Sequence, residues 1–121
     1  MHVLVVDDSA MTRMVAKNSL KNLGITEISE AEDGAKALQV LEAGAIDIVF
    51  SDWNMPNMSG IELLREVRQR WPAMPFIMIT TEGSKDKVME AIQNGVSDYL
   101  SKPFTPEALN EKLKKWVAAP A

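Results

Sequence analysis

Val3-Leu4-Val5-Val6-Asp7-Asp8-Ser9 carries four apolar residues, without polar alternation, straight into two carboxylates and a hydroxyl. A strand with one wet face alternates. An uninterrupted Val/Leu run fits a strand buried on both sides, as in a parallel sheet covered by helices. Two further runs, residues 76–79 and residues 46–50, the latter apolar except for Asp47, predict two more central strands. Glu27–Ala31 and Asp98–Ser101 are strand-length but more polar, which predicts sheet edges.

Between the strands the period changes to that of a helix. Ala16, Leu20 and Leu23 form the first stripe, Ala37, Leu38 and Leu41 the second, and Ile61, Leu64, Val67 and Trp71 the third. Val88, Ala91, Ile92 and Gly95 form the fourth, and Leu109, Leu113, Trp116 and Val117 the fifth. The punctuation agrees. Gly24, Gly44 and Gly95 stand where helices stop, and Ser59 with Glu62 spells a capping box. Ser84 reads as an N-cap, and Thr105-Pro106 as an N-cap followed by Pro at the first helical position. Of the eight Met residues, Met78 in the fourth strand and Met14 in the first helix read as core fillers, like Trp71 and Trp116. Five strand–helix units with right-handed crossovers give a three-layer, doubly wound α/β domain on one five-stranded parallel sheet.

Composition narrows the chemistry. The 121 residues suffice for one domain, read here as spanning residues 1–121. No apolar run approaches the roughly 18 residues of a membrane span, and the start lacks a secretory signal, so a cytoplasmic protein is expected. A net charge of −4 argues against nucleic acid or an anionic membrane as the main partner. The charge is uneven: residues 1–83 carry seven basic and twelve acidic side chains, residues 84–121 six and five. With no Cys, thiolate chemistry and disulfides are excluded. With a single His at position 2, a polyhistidine metal site is excluded and a Ser-His-Asp triad disfavoured.

In open parallel sheets, ligands bind beyond the carboxyl ends of the strands. There this chain places Asp7 and Asp8, Asp52, Thr80, Thr81 and Glu82, and Lys102-Pro103. Three carboxylates at one sheet edge repel one another unless a cation neutralises them, and a hard divalent ion such as Mg²⁺ suits all-oxygen ligands. With a lysine opposite, the set suits a phosphoryl group, and an Asp carboxylate can itself be the nucleophile that forms an acyl phosphate. Singly, each residue has a plainer reading: Asp8 as a cap beside Ser9, Asp52 as a loop acid, Thr80 as a strand end, Lys102 as a solvated cation.

The stretches VLVVDDS (residues 3–9), SDWNMPNMSG (51–60), IMITTEG (77–83) and DYLSKPFT (98–105) together resemble the response-regulator receiver domains of two-component signalling. The likeness covers essentially the whole chain. Within the family, Trp53-Asn54-Met55-Pro56-Asn57-Met58, Glu82, Tyr99 and the Glu-Lys-Leu run at 111–113 are most similar to the chemotaxis regulators.

The resemblance implies a flavodoxin-like strand order 2-1-3-4-5 and a set of roles. Asp52 would accept a phosphoryl group from a histidine kinase. Asp8, Asp52 and the Asn54 carbonyl would ligate Mg²⁺, with Asp7 acting through water. Lys102 and Thr80 would hold the phosphoryl oxygens, Tyr99 would answer Thr80, and the Lys102-Pro103 bond would be cis. Trp53, Thr81 and Glu82 would tune reactivity. Thr81 departs from the smaller Ala of the chemotaxis pattern and would narrow access to the acceptor. Trp53 would sense metal and phosphate. Lys85, Met89, Tyr99, Lys112 and Lys115 would form the partner face on the fourth helix, fifth strand and fifth helix, the lysines equally suiting a solvated face.

The expected protein is therefore a monomeric phosphorylation switch acting on a flagellar motor switch, and not a turnover enzyme. A relay or adaptor of another pathway, or a receiver cut from a longer regulator, remains open; the tail after Trp116 shows no linker and favours a complete single domain. Two other classes fit less well. An aspartyl-phosphate phosphatase would need an acid two residues after the nucleophile, where Asn54 stands. A flavin binder would need a Ser/Thr/Gly-rich loop where Asp7-Asp8 stands.

Overall fold

The computed structural model of the chain describes residues 1–53, 55, 58–80, 85–101 and 104–116, and of Lys85 and Lys87 the backbone alone. The apolar runs become strands β1 (His2–Val6), β3 (Ile48–Asp52) and β4 (Phe76–Thr80), and the polar segments become β2 (Glu27–Ala31) and β5 (Asp98–Ser101). They alternate with α1 (Ala10–Asn22), α2 (Gly34–Glu42), α3 (Gly60–Arg70), α4 (Lys85–Gln93) and α5 (Pro106–Trp116). All pairs are parallel, in the order β2-β1-β3-β4-β5, so the two polar strands are the edges.

Side chains alternate across a strand, so each central run feeds two cores. Val3, Val5, Ile48, Phe50, Ile77 and Ile79 meet Ala16 and Leu20 of α1 and Leu109 and Leu113 of α5. Leu4, Val6, Val49, Phe76 and Met78 meet Ala37 and Leu41 of α2, Leu64 and Val67 of α3, and Ala91 of α4. Each such side chain contributes about 1.5–3 kcal/mol by leaving water, so the three central strands are the rigid part of the domain.

The helix ends follow the local signals. Ser59 and Glu62 form both bonds of the capping box, and the Thr105 hydroxyl accepts from the Ala108 N–H at 3.1 Å. Asp33, which the sequence reading did not single out, caps α2 by accepting from the Lys36 N–H at 2.8 Å. The expected cap Ser84 and the residue Val117 lie outside the described residues.

Three expectations are corrected. The third strand runs Ile48–Asp52 rather than 46–50. Ile46 is buried, but Ala45 before it has φ 71°, and the chain joins the ladder only where Val3 pairs with Ile48. Ile92 is exposed, because among the described side chains of α4 only Ala91 turns fully inward; Met14 is exposed too, because α1 buries Ala16 and Leu20 instead.

A tertiary staple was invisible in the sequence. Arg68 of α3 donates to the Gly95 and Met74 carbonyls, each at 2.6 Å, and to the Ser97 hydroxyl at 3.0 Å. It thus ties α3 to the turns that lead into β4 and β5. Half-burial without a carboxylate partner among the described residues lowers its pKa.

Gly44 and Ala45 are consecutive left-handed residues, φ 87° and 71°, and only the glycine avoids a steric penalty. Ala45→Gly is expected to raise stability by about 0.5 kcal/mol, the relieved strain exceeding the added unfolded-state entropy. Urea denaturation checks this; a lower midpoint would count against strain at Ala45.

Candidate functional site

The site is set by the meeting of β1 and β3. Their register pairs Val6 with Ser51, so the next residues, Asp7 and Asp52, arrive at the same height on adjacent chains. Asp7, Asp8 and Asp52 each offer a carboxylate oxygen, and the three oxygens lie within 4.8 Å of one another. Asp7 is 2% exposed and Asp52 9%, whereas Asp8 is open to solvent. At such separations each ionised pair repels by about 3–4 kcal/mol at an effective dielectric constant of about 20. A donor set of carboxylate oxygens alone, crowded and half-shielded, fits a hard divalent cation.

Asp7 and Asp52 are held in place. Asp7 Oδ1 accepts from the Ser9 N–H at 2.9 Å, its N–H donates to the Ala31 carbonyl at 3.1 Å, and its own carbonyl accepts from Arg13 Nη1 at 2.6 Å. Arg13 also donates to Glu30 at 3.2 Å, and Lys17 donates to the same carboxylate at 3.0 Å. Glu30 is lowered below the usual carboxylate range, chiefly by the Lys17 bond and further by Arg13, against an opposing push from burial. Asp52 closes β3, and its Oδ1 accepts from the Trp53 N–H at 2.9 Å, which orients the carboxylate. Ser9, not Asp8, caps α1, its side chain accepting from the Thr12 N–H at 3.3 Å.

Around the acids, Thr80 ends β4 and is 6% exposed; it stands one residue beyond Ile79, the partner of Asp52. Trp53 is buried in the core shared with α2–α4. Tyr99 of β5 pairs with Met78 and is largely exposed, as is Met89 of α4. Lys112 and Lys115 of α5 both reach the Asp98 carboxylate. Asn54, Thr81, Glu82, Lys102 and Pro103, together with the Lys85 side chain, lie outside the described residues.

Two residues of the site were not singled out from sequence. Arg13 is one; its place depends on Glu30 arriving from β2, and a basic residue early in α1 is the only local hint. Gly60 is the other, although it stands in the quoted 51–60 stretch. A Cβ there would come within 2.4 Å of the Asp52 carbonyl and 2.9 Å of the Met78 sulfur, while the Gly60 N–H donates to the Trp53 carbonyl at 2.8 Å. Glycine lets α3 start against the backbone that carries Asp52.

Comparisons with known proteins agree with this geometry. Residues 3–114 match the family described as the response regulator receiver domain. The chain is 46% identical over 117 residues to the chemotaxis protein CheY of Pseudomonas aeruginosa, covering 95% of this chain and 94% of that one. It is 47% identical over 117 residues to CheY1 of Helicobacter pylori, covering 94% of each. Among solved structures, CheY4 of Vibrio cholerae superposes with a TM-score of 0.90 at 36% identity, covering 96% of this chain and 98% of that one. The receiver domain of a Pseudomonas aeruginosa sensor histidine kinase superposes with a TM-score of 0.89 at 27% identity, covering 98% of both, and is described as holding a magnesium ion in its active-site cleft.

Two outcomes follow from the geometry. Gly60→Ala forces the Asp52 backbone or Met78 to move and is expected to destabilise the fold by about 2–3 kcal/mol, read by thermal and urea denaturation; an unchanged midpoint would remove the close approach as a constraint. The second concerns acid. Burial pushes the Asp98 carboxyl upward, but bonds from the Trp116 indole, the Tyr99 N–H and Lys112 outweigh it, so the net shift is downward. Stability from a depressed carboxylate is present above its unfolded pKa and lost as pH falls through the folded one. The stability difference between the native chain and Asp98→Asn should therefore be largest near neutrality and shrink through the acid range below the ordinary carboxylate pKa. A pH-independent difference would contradict it.

Proposed function

Because the chain belongs to the response-regulator receiver family of two-component signalling, we propose that Asp52 accepts a phosphoryl group from a histidine kinase and that the resulting charge switches binding to a protein partner. The observation that carries this reading is the convergence of Asp7, Asp8 and Asp52 within 4.8 Å at the ends of β1 and β3. An Asp52 oxygen forms the new P–O bond as the N–P bond of the donor phosphohistidine breaks, and the released imidazole takes a proton. Asp8, Asp52 and the carbonyl of Asn54 would hold Mg²⁺, with Asp7 acting through water. When bound, that ion supplies the positive charge that lets a phosphoryl group approach three carboxylates. Lys102 pairs with the phosphoryl oxygens, and Thr80, at the edge of the same cleft, hydrogen-bonds them.

The readout runs from Thr80 to Tyr99 and the face of α4, β5 and α5, where Lys85, Met89, Lys112 and Lys115 meet the partner. Trp53 reports the state of the acceptor beside it, and Thr81 and Glu82 tune the rate. The chain works as a monomer in the cytoplasm, assisting its own phosphorylation and dephosphorylation without turnover of a substrate. The names of its Pseudomonas and Helicobacter relatives support chemotaxis as the pathway. The partner proposed for that pathway is a flagellar motor switch protein.

Incubation with a small phosphodonor such as acetyl phosphate and Mg²⁺ should label the native chain, with a change in Trp53 fluorescence. Labelling should fall to background in Asp52→Asn or on adding a chelator. Undiminished labelling of Asp52→Asn would refute the assignment.

A further inference from the structure

Asp98 stands at the head of β5, next to Tyr99, and its carboxylate is 11% exposed. Oδ1 accepts from the Tyr99 N–H at 2.8 Å. Oδ2 receives three donors from α5: the Trp116 indole N–H at 2.9 Å, Lys112 Nζ at 3.1 Å and Lys115 Nζ at 3.4 Å. A carboxylate oxygen has two lone-pair sites, so three donors over-fill it, and each ammonium group keeps further N–H bonds to give. One acid facing two lysines leaves the cluster with a surplus positive charge, in a chain whose net charge is −4. Lys115 is well exposed and also lies over the Trp116 ring, 5.4 Å from its centroid. Beside it, Tyr99 is exposed. The last turn of α5 therefore presents cations that already grip a carboxylate.

We propose that Asp98 is a resident stand-in for a partner's carboxylate. The β5–α5 face takes an acidic segment of a protein partner on Lys112 and Lys115, and Asp98 competes for the same two ammonium groups. This rests on the reading of that face as the output surface. An incoming carboxylate meets the surplus positive charge first at exposed Lys115, then shares or draws away Lys112, while Asp98 keeps the indole and the Tyr99 N–H. The competition sets how acidic a segment must be to bind, so weakly acidic segments are rejected by a contact made within the chain. Asp98→Asn removes the competing charge but keeps an acceptor oxygen for the indole and the Tyr99 N–H.

The test uses the full, unphosphorylated chain and two fluorescent peptides of one length, one rich in Glu and Leu and one with Gln replacing each Glu. Anisotropy at low ionic strength should show the Glu peptide binding Asp98→Asn about fivefold more tightly than the native chain. The gain should be absent for the Gln peptide and in the Lys112→Gln/Lys115→Gln background. On the native chain, saturation with the Glu peptide should shift the Trp116 indole N–H resonance as the lysines leave Asp98, a readout that needs no variant at position 98. Equal affinity of the native chain and Asp98→Asn, no binding to either, a gain that survives loss of both lysines, or an unmoved indole resonance would overturn the proposal. So would equal displacement of the Glu peptide by millimolar inorganic phosphate, which would mark a general anion site. Because no phosphorylation is involved, failure here leaves Asp52 labelling untouched, and failure of that labelling leaves this competition standing.

Discussion

Three carboxylates share the space between the ends of two neighbouring strands, and everything near them can be read as a way of keeping them there. Left to themselves, Asp7, Asp8 and Asp52 would move apart. They stay within 4.8 Å because β1 and β3 are hydrogen-bonded along their length and packed on both faces. The repulsion is thus held by the hydrophobic core, and a divalent cation is the partner that would relieve it.

The surroundings divide into parts that hold and parts that respond. Arg13 ties the Asp7 carbonyl to α1, and Glu30 with Lys17 offsets its charge beside a site that needs negative potential. Gly60 lets α3 press on the Asp52 backbone, and Arg68 fastens the other end of α3 to the turns that lead into β4 and β5. The α4 side of the sheet is different in kind. Of α4, Ala91 is the fully buried side chain, while Met89 and Ile92 face solvent together with Tyr99 of β5. Exposed apolar groups on a helix with so little buried surface suit an element whose position a nearby charge can bias, and a surface that a partner can cover.

Asp98 adds a local electrostatic control to that surface. It gathers two of the three lysines of α5, Lys112 and Lys115, and the indole of Trp116 onto one oxygen, so their positive charge is ordered instead of dispersed.

By itself the sequence determined the architecture and which acidic side chains gather at the strand ends. Unbroken apolar runs meant strands buried on both faces, helical stripes meant crossovers, and polar residues immediately after the runs meant a ligand edge. The reason is that period and burial are local properties, written residue by residue. The edge position of β2 and β5 was equally legible, from their polar content. What only the tertiary structure decided are the facts that need two distant segments at once. The two-residue shift of β3 came from its register with β1. The outward turn of Ile92 and Met14 came from which side of each helix the sheet covers. The need for glycine at position 60 came from the Asp52 carbonyl, and the grip of Lys112, Lys115 and Trp116 on Asp98 came from α5 packing beside β5. None of these leaves a signal in a window of a dozen residues, because each depends on a neighbour that the chain reaches only by folding.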